Sequence, residues 1–577
     1  MPSTPACLAP PPFGVRRGWG RLRSRVVAVT LLLVAVAPLL HVLQRTADAR
    51  RNIVYWDEFD TALAPILALE AGSSPGAFLA ALFQVNNEHR MVTSRLLFAG
   101  SYWLTGTIDF SVLQWLGNAT IVAACLLLVW SAGARPRQLK LGLLLALLVF
   151  QLEHYENFLW SGASIDHFQV ILLAVAAVVA LQSGQAAGFW VGLGAALLAT
   201  FTLAHGLAVW PAGAALLWAA GRRREFAGWA ACAALAAFLF LLGFEFNRAQ
   251  HFAEFSLAGA GKIGRYWLAL LGAVPGLGSN RIAPWCGGLL LAALAYGLAR
   301  GAWRREPIAW ALVLFVALAA GLIAVGRAEH SGGHVYSRYY ILSAVAWALT
   351  LFLLIERHSH PRRPLAGLVF LLPGLLGFNV LANREFTDET DSWIICRDLA
   401  AVNFIQHGTD GHGPFHLHPH AAHATALLRR SKSEQVYELG SVCPPVPFPP
   451  GARESNRISY FVEDIAATDT AVAIRGWAGI PDQSTPRGGN RLILRSERAT
   501  HVFRTATAPR TDVPRVMQQP AWTNAGFHFA ARVAELPPGD FQIGLLIQTG
   551  GRAEFIMTGH RLQIPSEPKP VFAAAQQ

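Results

Sequence analysis

Charged residues are scarce in this sequence. Only 14% of its 577 residues are Asp, Glu, Lys or Arg, whereas 53% are hydrophobic. A soluble chain of this length carries more charge and fewer long apolar runs. Apolar runs of about 18 to 22 residues recur through the first two thirds of the chain, long enough to cross a hydrocarbon core as helices. The shortage of charge therefore argues against a soluble protein and predicts a polytopic α-helical membrane protein.

Paired cysteines are also lacking. The six cysteines are scattered without a CxxC motif, and Cys125, Cys232 and Cys286 lie in or beside apolar runs, where we expect inert small hydrophobic side chains. Cys396 and Cys443 follow the last apolar run. They are the one pair for which a disulfide is considered.

A continuous basic surface is missing too, although the formal net charge is +12. The basic residues fall in short clusters between apolar runs, as membrane topology requires, so nucleic-acid binding is not expected. If all the clusters are cytoplasmic, about eleven spans alternate consistently. The predicted spans are 26–44, 110–131, 139–154, 166–183, 187–204, 205–220, 226–246, 282–301, 307–325, 339–356 and 364–383. Segments 91–106 and 262–277 do not fit the alternation and are predicted to be helices at the outer interface.

The predicted orientation places the basic segment 1–25 in the cytoplasm. The first apolar run resembles a signal peptide, but the many spans that follow favour an uncleaved first helix. Loops 45–109, 154–165, 247–281 and 326–338, and the chain after residue 384, then share the opposite side. The arginine-rich composition resembles that of bacterial sequences, so the expected location is a bacterial inner membrane with this side in the periplasm.

Three of these loops carry ionisable and aromatic residues that topology does not explain. They are Tyr55, Trp56, Asp57, Glu58, Glu88, His89 and Arg90 in the first loop, Tyr155 and Glu156 in the second, and Arg327, Arg338 and Tyr339 in or just after the third. Such groups are costly at a bundle edge unless they are paired or functional. One interpretation is that they only fasten the loops together, and the other is that they form a site.

The chemistry of this residue set favours a site for glycosyl transfer. A carboxylate can act as general base towards an acceptor hydroxyl. Arginines can hold a phosphate and stabilise it as it leaves, and aromatic faces suit sugar rings. We therefore expect transfer of a sugar from a lipid phosphate at the outer membrane surface.

The order of the motifs "YWDEFD", "NNEHR" and "GRAEHSGGHVYSRYY" resembles the GT-C superfamily of integral membrane glycosyltransferases, over residues 26–384. The resemblance implies that Asp57 or Glu58 is the catalytic base, with Asp57 preferred. It implies that Glu88, His89 and Arg90 shape the acceptor or lipid-phosphate site, and that Arg327, Arg338 and Tyr339 hold the phosphate. Aromatic sugar contacts are assigned to Tyr55, Trp56 and Tyr155, with Glu156 beside them.

The remaining details of this site are less constrained. Asp60 could share a face with Asp57 or cap a helix over 61–70, and the cap is the preferred role. No cofactor is expected, although the acids and His89 leave a divalent metal open. The expected partners are a polyprenyl-phosphate-linked sugar donor, the bilayer, and a glycan, lipid or protein acceptor. The alternatives are a flippase for lipid-linked sugars, or a polysaccharide polymerase or ligase.

The chain after residue 384 changes composition. Segment 385–454 is predicted to connect the domains through helices near 390–406 and 420–430, with a flexible histidine-rich loop in preference to a metal site. Short alternating runs over 455–566 predict a β-sandwich-like domain of seven or eight strands. Trp522 is expected in its core, and 567–577 is expected to be a disordered tail.

Overall fold

The structure is a computed structural model that describes residues 14–72, 74–244, 256–329, 333–358 and 365–565. The predicted tail 567–577 and the first half of the basic segment 1–25 lie outside the described residues. The described chain is mostly helical up to residue 433 and rich in β-strands after it.

The first half of the chain forms a series of helices, several of them apolar throughout. In chain order they are α1 (Gly14–Ala49), α2 (Ala64–Glu70), α3 (Pro75–Phe83), α4 (Val92–Thr105), α5 (Phe110–Ser131), α6 (Arg135–Val149), α7 (Tyr155–Leu159), α8 (Ser161–Ala163), α9 (Gln169–Gln182), α10 (Ala186–Thr200), α11 (Val209–Ala219) and α12 (Arg223–Leu241). Helix α5 begins where it does because Asp109 caps it. Its carboxylate accepts from the backbone N–H of Ser111 at 2.8 Å and of Val112 at 3.3 Å.

Further helices complete the bundle and lead into the C-terminal region. They are α13 (Leu257–Leu271), α14 (Ala283–Ala299), α15 (Pro307–Arg327), α16 (Tyr340–Arg357), α17 (Ala366–Glu385), α18 (Thr387–His407), α19 (Ala421–Ser433) and the short α20 (Asp512–Val516). Most of each predicted span is occupied by one helix. In chain order these helices are α1, α5, α6, α9 to α12 and α14 to α17. Helices α4 and α13 occupy the two segments predicted to be interfacial.

Seven helical stretches within the described residues are long and apolar enough to cross a membrane. They are Val29–Ala49, Phe110–Ser131, Ser161–Gln182, Arg223–Leu241, Pro307–Arg327, Ser337–Arg357 and Ala366–His407. Shorter apolar helices, Ala186–Thr200 and Ala283–Ala299, accompany them. The chain therefore has several helices that could span a membrane, as its shortage of charge predicts.

Two hydrophobic cores divide the structure. One lies within the bundle and includes Leu144 of α6, Val175 of α9 and Val316 of α15. The other joins the first loop to the C-terminal region, because Phe59 shares it with α18, α19 and the β-strands. The first loop therefore packs largely with the C-terminal region.

The C-terminal strands form two sheets that share this second core. The ten strands are β1 (Pro445–Val446), β2 (Arg453–Glu454), β3 (Ser459–Ala467), β4 (Ala471–Gly479), β5 (Asn490–Arg495), β6 (Thr500–Arg504), β7 (Ala506–Ala508), β8 (Gly526–Arg532), β9 (Gly539–Thr549) and β10 (Arg552–Ile564). One sheet has the order β1-β6-β5-β9-β10-β2 and the other β3-β4-β8-β7. Strands β1, β2 and β7 have only two or three residues each, too short for an alternating pattern to predict them.

The longest hairpin shows why its turn forms. Strands β9 and β10 pair antiparallel from Thr549 and Arg552 outward, so Gly550 and Gly551 form a two-residue turn. Their φ angles are 54° and 77°. Positive φ at both central positions is what this class of hairpin turn requires, and glycine adopts it without strain.

Three expectations about the C-terminal region can be assessed. Trp522 is fully buried, as expected. The histidine-rich segment is more ordered than the flexible loop predicted, because Asp410 accepts from the backbone N–H groups of Leu417 at 3.1 Å and His418 at 3.3 Å, and both side chains are buried. Cys396 and Cys443 are both free thiols, so the disulfide considered for them is not formed.

Candidate functional site

An open pocket lies where the three polar loops meet at one end of the bundle. The lining residues are Asp57, Asn86, Asn87, His89 and Met91 from the first loop, Trp160 and Ala163 from the second, Asp166 and His167 just after it, Leu203, and Arg327, Arg338 and Tyr339. Segments that are far apart in sequence thus bring carboxylates, imidazoles and guanidinium groups to one cavity.

The structure distinguishes the two adjacent acids of the first loop. Asp57 lines the pocket. The side chain of Glu58 is fully buried, and its carboxylate accepts hydrogen bonds from the Ser161 hydroxyl and, at 2.8 Å each, from the backbone N–H groups of Gly162 and Tyr55. Burial raises the pKa of Glu58 to about 7. Glu58 therefore attaches the loop to the bundle, and Asp57 is the carboxylate available to a substrate.

Glu156 contacts Arg338 and does not line the pocket. This corrects the assignment of Glu156 as a sugar contact. Its Oε2 accepts from the Ser337 hydroxyl at 2.9 Å and from the backbone N–H of Arg338 at 3.1 Å. Its Oε1 is 3.5 Å from Nη1 of the same arginine. The Arg338 guanidinium carbon also lies 4.7 Å from the centre of the Tyr336 ring and 5.4 Å from that of Tyr339. The carboxylate and the rings together fix the direction of this arginine.

Arg327 also lines the pocket, and it is held there by contacts with Glu88 and His89. Arg327 pairs with Oε1 of Glu88, and Nε2 of His89 lies 3.5 Å from the same oxygen. Nδ1 of His89 accepts the backbone N–H of Ala204 at 3.1 Å, so Nε2 carries the ring proton. Burial lowers the pKa of His89, which keeps the ring neutral at pH 7.

The structure places Arg90 outside the pocket, which corrects its assignment to the phosphate site. Its guanidinium donates to the backbone carbonyls of Phe240 at 2.9 Å, Phe83 at 2.6 Å and Leu242. Arg95 acts in a similar way, donating to the carbonyls of Leu82, Gln84 and Arg90. Both arginines therefore hold backbone segments together.

The aromatic residues assigned to the sugar are only partly at the pocket. Tyr155 and Tyr55 do not line it, and the Tyr55 ring packs instead against Trp393 and Trp160, with ring centres 5.6 and 5.9 Å apart. Trp56 is 42% exposed and does not line the pocket. Trp160, to which no sugar contact was assigned, lines the cavity, as does Tyr339.

Asp60 does not cap a helix, contrary to the preferred prediction. It lies inside a π-helical turn, Phe59–Leu63, which begins one residue before it. Its carboxylate is bound by two histidines of the C-terminal region: Nε2 of His423 at 2.8 Å and Nε2 of His418 at 3.5 Å. A hydrogen bond from His418 is the main cause of the lowered pKa of Asp60.

Asp166 and His167 also line the pocket, and neither has a role in the sequence prediction. Asp166 accepts from the Ser94 hydroxyl, and the His167 ring stacks on His205, with ring centres 5.9 Å apart. Both lie in a π-helical turn, Ser164–Phe168, at the start of a long apolar run. An acid and an imidazole at the end of a predicted span, where ionisable groups are costly, are the signal that could have identified them.

The described residues contain no group of three or more His, Cys, Asp or Glu side chains arranged to hold a metal ion. No family model, curated protein or solved structure matches this chain. The GT-C resemblance stays a prediction.

Proposed function

We propose that this chain is an integral membrane glycosyltransferase that moves a sugar from a polyprenyl-phosphate donor to a hydroxyl of an envelope glycan, lipid or protein. One observation carries the proposal: a carboxylate, Asp57, and two guanidinium groups, those of Arg327 and Arg338, line the same pocket at one end of an apolar helical bundle. An anionic leaving group needs the cations, and an acceptor hydroxyl needs the base.

The reaction assigns a separate task to each side of the pocket. Asp57 accepts the proton of the acceptor hydroxyl, whose oxygen forms a bond to the anomeric carbon of the sugar. The bond between that carbon and the phosphate oxygen breaks, and the electron pair leaves with the phosphate. Arg327 and Arg338 stabilise the charge that develops there. General-base assistance of this kind is worth about 10²–10⁴ in rate.

The proposed orientation has about eleven spans in a bacterial inner membrane, with the pocket and the C-terminal region on the periplasmic side. Contacts at the other end of the bundle support it. Lys140 pairs with Glu356 and Arg137 with Glu306, so this basic cluster lies among helix ends that do not line the pocket. The positive-inside bias then places the cluster in the cytoplasm.

The test replaces Asp57 by Asn in the full chain, purified and reconstituted in vesicles. Labelled sugars are supplied from a panel of polyprenyl-phosphate monosaccharides, together with an acceptor fraction of isolated envelope. We expect at least a 10²-fold loss of transfer, with unchanged binding of polyprenyl phosphate alone. The matched control is Glu70→Gln, which removes an exposed acid of the same loop. Full transfer by Asp57→Asn would refute the proposal.

A flippase for lipid-linked sugars is the second candidate, because ionisable groups are buried within the bundle. Both carboxylate oxygens of Glu153 and both ring nitrogens of His205 lack a hydrogen-bond partner among the described residues. Such groups often mark transport paths through membranes. A flippase would move a fluorescent polyprenyl-phosphate sugar across vesicles whether or not Asp57 is replaced, whereas a transferase would form a product that depends on this residue.

A further inference from the structure

The C-terminal region touches the first loop on both sides of Asp57. Most of these contacts come from residues 410–440, here called the docking segment. Most of them are hydrogen bonds to backbone groups of the first loop, so they act on the path of the chain. The bundle contributes its own anchor through Glu58, which is bound by Ser161 and Gly162.

Tyr437 is the central residue of the docking segment. It is 1% exposed, and its hydroxyl donates to the carbonyl of Asn52 and accepts the backbone N–H of Val54, both at 3.0 Å. Burial raises the pKa of Tyr437 well above its usual value, so the phenol stays neutral and keeps its donor. One hydroxyl thus satisfies two backbone groups just before the pocket residue.

Gly440 brings the two chains into close approach. Its N–H donates to the carbonyl of Asn52 at 2.8 Å. A β-carbon at this position would lie 2.9 Å from both the oxygen and the β-carbon of Asn52. Any larger residue would therefore push the first loop away from the docking segment.

Trp56, the residue before Asp57, has an unusual backbone conformation that the docking segment supports. Its φ angle is 49°, in the left-handed region that a bulky residue adopts rarely. Its N–H donates to the carbonyl of Leu417 at 2.8 Å. The chain therefore turns at Trp56 under the control of a residue more than three hundred positions later.

Contacts after Asp57 complete the attachment. His423 binds the Asp60 carboxylate at 2.8 Å, and Nη2 of Arg430 donates to the carbonyl of Leu67 at 2.8 Å. The segment from 52 to 67 is thus held at several points by the C-terminal region. Glu58 ties it to the bundle, as does Asn52, whose Oδ1 accepts the backbone N–H of Phe110 at 3.0 Å.

From these contacts we infer that the C-terminal region is a part of the catalytic unit that positions Asp57, with Tyr437 as the positioning residue. This inference rests on the proposed transferase function. A carboxylate must lie within hydrogen-bond reach of the acceptor hydroxyl, and small displacements of a reacting group reduce rates strongly. The region is therefore required for turnover even though none of its residues lines the pocket.

The test compares Tyr437→Phe and Gly440→Ala with two controls in the same region. Tyr460→Phe removes a partly buried phenol from β3, and Gly559→Ala adds a methyl group in open space. We expect both test variants to lower kcat about 10- to 100-fold with an unchanged donor KM. Both controls should keep the original values.

A second measurement does not depend on activity. Hydrogen exchange of the backbone amides of residues 52–60 should become at least about tenfold faster in Tyr437→Phe, while exchange in β9 and β10 stays the same. Unchanged exchange in this segment, or faster exchange with full kcat, would overturn the inference. An active Asp57→Asn variant would instead refute the transferase function, and the exchange result would still report on the docking.

Discussion

Glu156 and Arg338 are joined twice, once through the backbone and once through the side chains. The carboxylate accepts the backbone N–H of Arg338 at 3.1 Å, and its other oxygen is 3.5 Å from the guanidinium. The acid is 13% exposed and the arginine 17%, so the contact is shielded from solvent. The Glu156 carboxylate thereby fixes both the backbone at Arg338 and the direction of the Arg338 guanidinium.

Replacing Glu156 by Gln should weaken donor binding. The amide keeps one acceptor oxygen but loses the charge that attracts Arg338, so the guanidinium is less strictly oriented. Hydrogen bonds to charged groups are worth about 1.5–3 kcal/mol, so we expect the donor KM to rise about tenfold or more. Glu389→Gln, which removes an exposed acid nearby, serves as the control. An unchanged KM for the donor would contradict the orienting role of Glu156.

Two arginines predicted alike from the sequence should behave differently. Arg338→Lys keeps the charge but loses the planar fork and its contacts with Tyr336 and Tyr339, so kcat/KM should fall about 10²-fold. Arg90→Lys leaves backbone carbonyls without their donors and should lower the free energy of unfolding by about 2 kcal/mol. Its donor KM should stay the same. Transfer kinetics and thermal unfolding of both variants, measured side by side, check the contrast.

Sequence patterns could predict the part of the site that stands out against an apolar background. Asp57, Arg327 and Arg338 are ionisable residues at span ends, and this alone suggests a role. The same reasoning could not separate Asp57 from Glu58, because the difference depends on Ser161 and Gly162, which approach only in the folded chain. It also misassigned Arg90, whose carbonyl partners at 240 and 242 come much later in the sequence.

The C-terminal region shows a similar division. Its strands follow local alternation and turn residues, so a β-rich fold was predictable. Its packing against the first loop was not predictable. Tyr437 and Leu417 bind backbone groups of residues 52–56, and every residue type carries such backbone groups. His167 and Asp166 were given no role for another reason, since the apolar run that follows them dominated the prediction of a span.

Glu58→Gln should retain most of the transfer activity that Asp57→Asn loses. The amide oxygen can still accept from Ser161 and Gly162, but the backbone N–H of Tyr55 loses its acceptor. An unsatisfied buried group costs about 1–3 kcal/mol. We therefore expect a lower melting temperature with kcat within about tenfold of the original. A complete loss of transfer by a folded Glu58→Gln variant would make Glu58 the base in place of Asp57.

The contact of Asp60 with His418 and His423 should make the attachment of the first loop depend on pH. The pKa of Asp60 is lowered from 3.8, mainly by the hydrogen bond from His418 and then by the bond from His423. Burial acts to lower the pKa of His418, but the bond to Asp60 and its charge outweigh it, and the pKa is raised from 6.5. Stabilisation by the acid is present above pH 3.8 and lost as the pH falls through its lower folded pKa. Stabilisation by the imidazole is present below pH 6.5 and lost as the pH rises through its higher folded pKa.

Protection of residues 52–67 should therefore be greatest between the two reference values and decline above neutral pH. Limited proteolysis of this segment across the pH range measures it. Neighbouring charges also act on this contact, since Asp57 favours the charged form of His418 and Asp60 interacts with Arg95. Asp60→Asn should remove the decline above neutral pH while leaving the protection of β9 and β10 unchanged. A protection profile in which Asp60→Asn keeps the same pH dependence would show that other groups control the attachment.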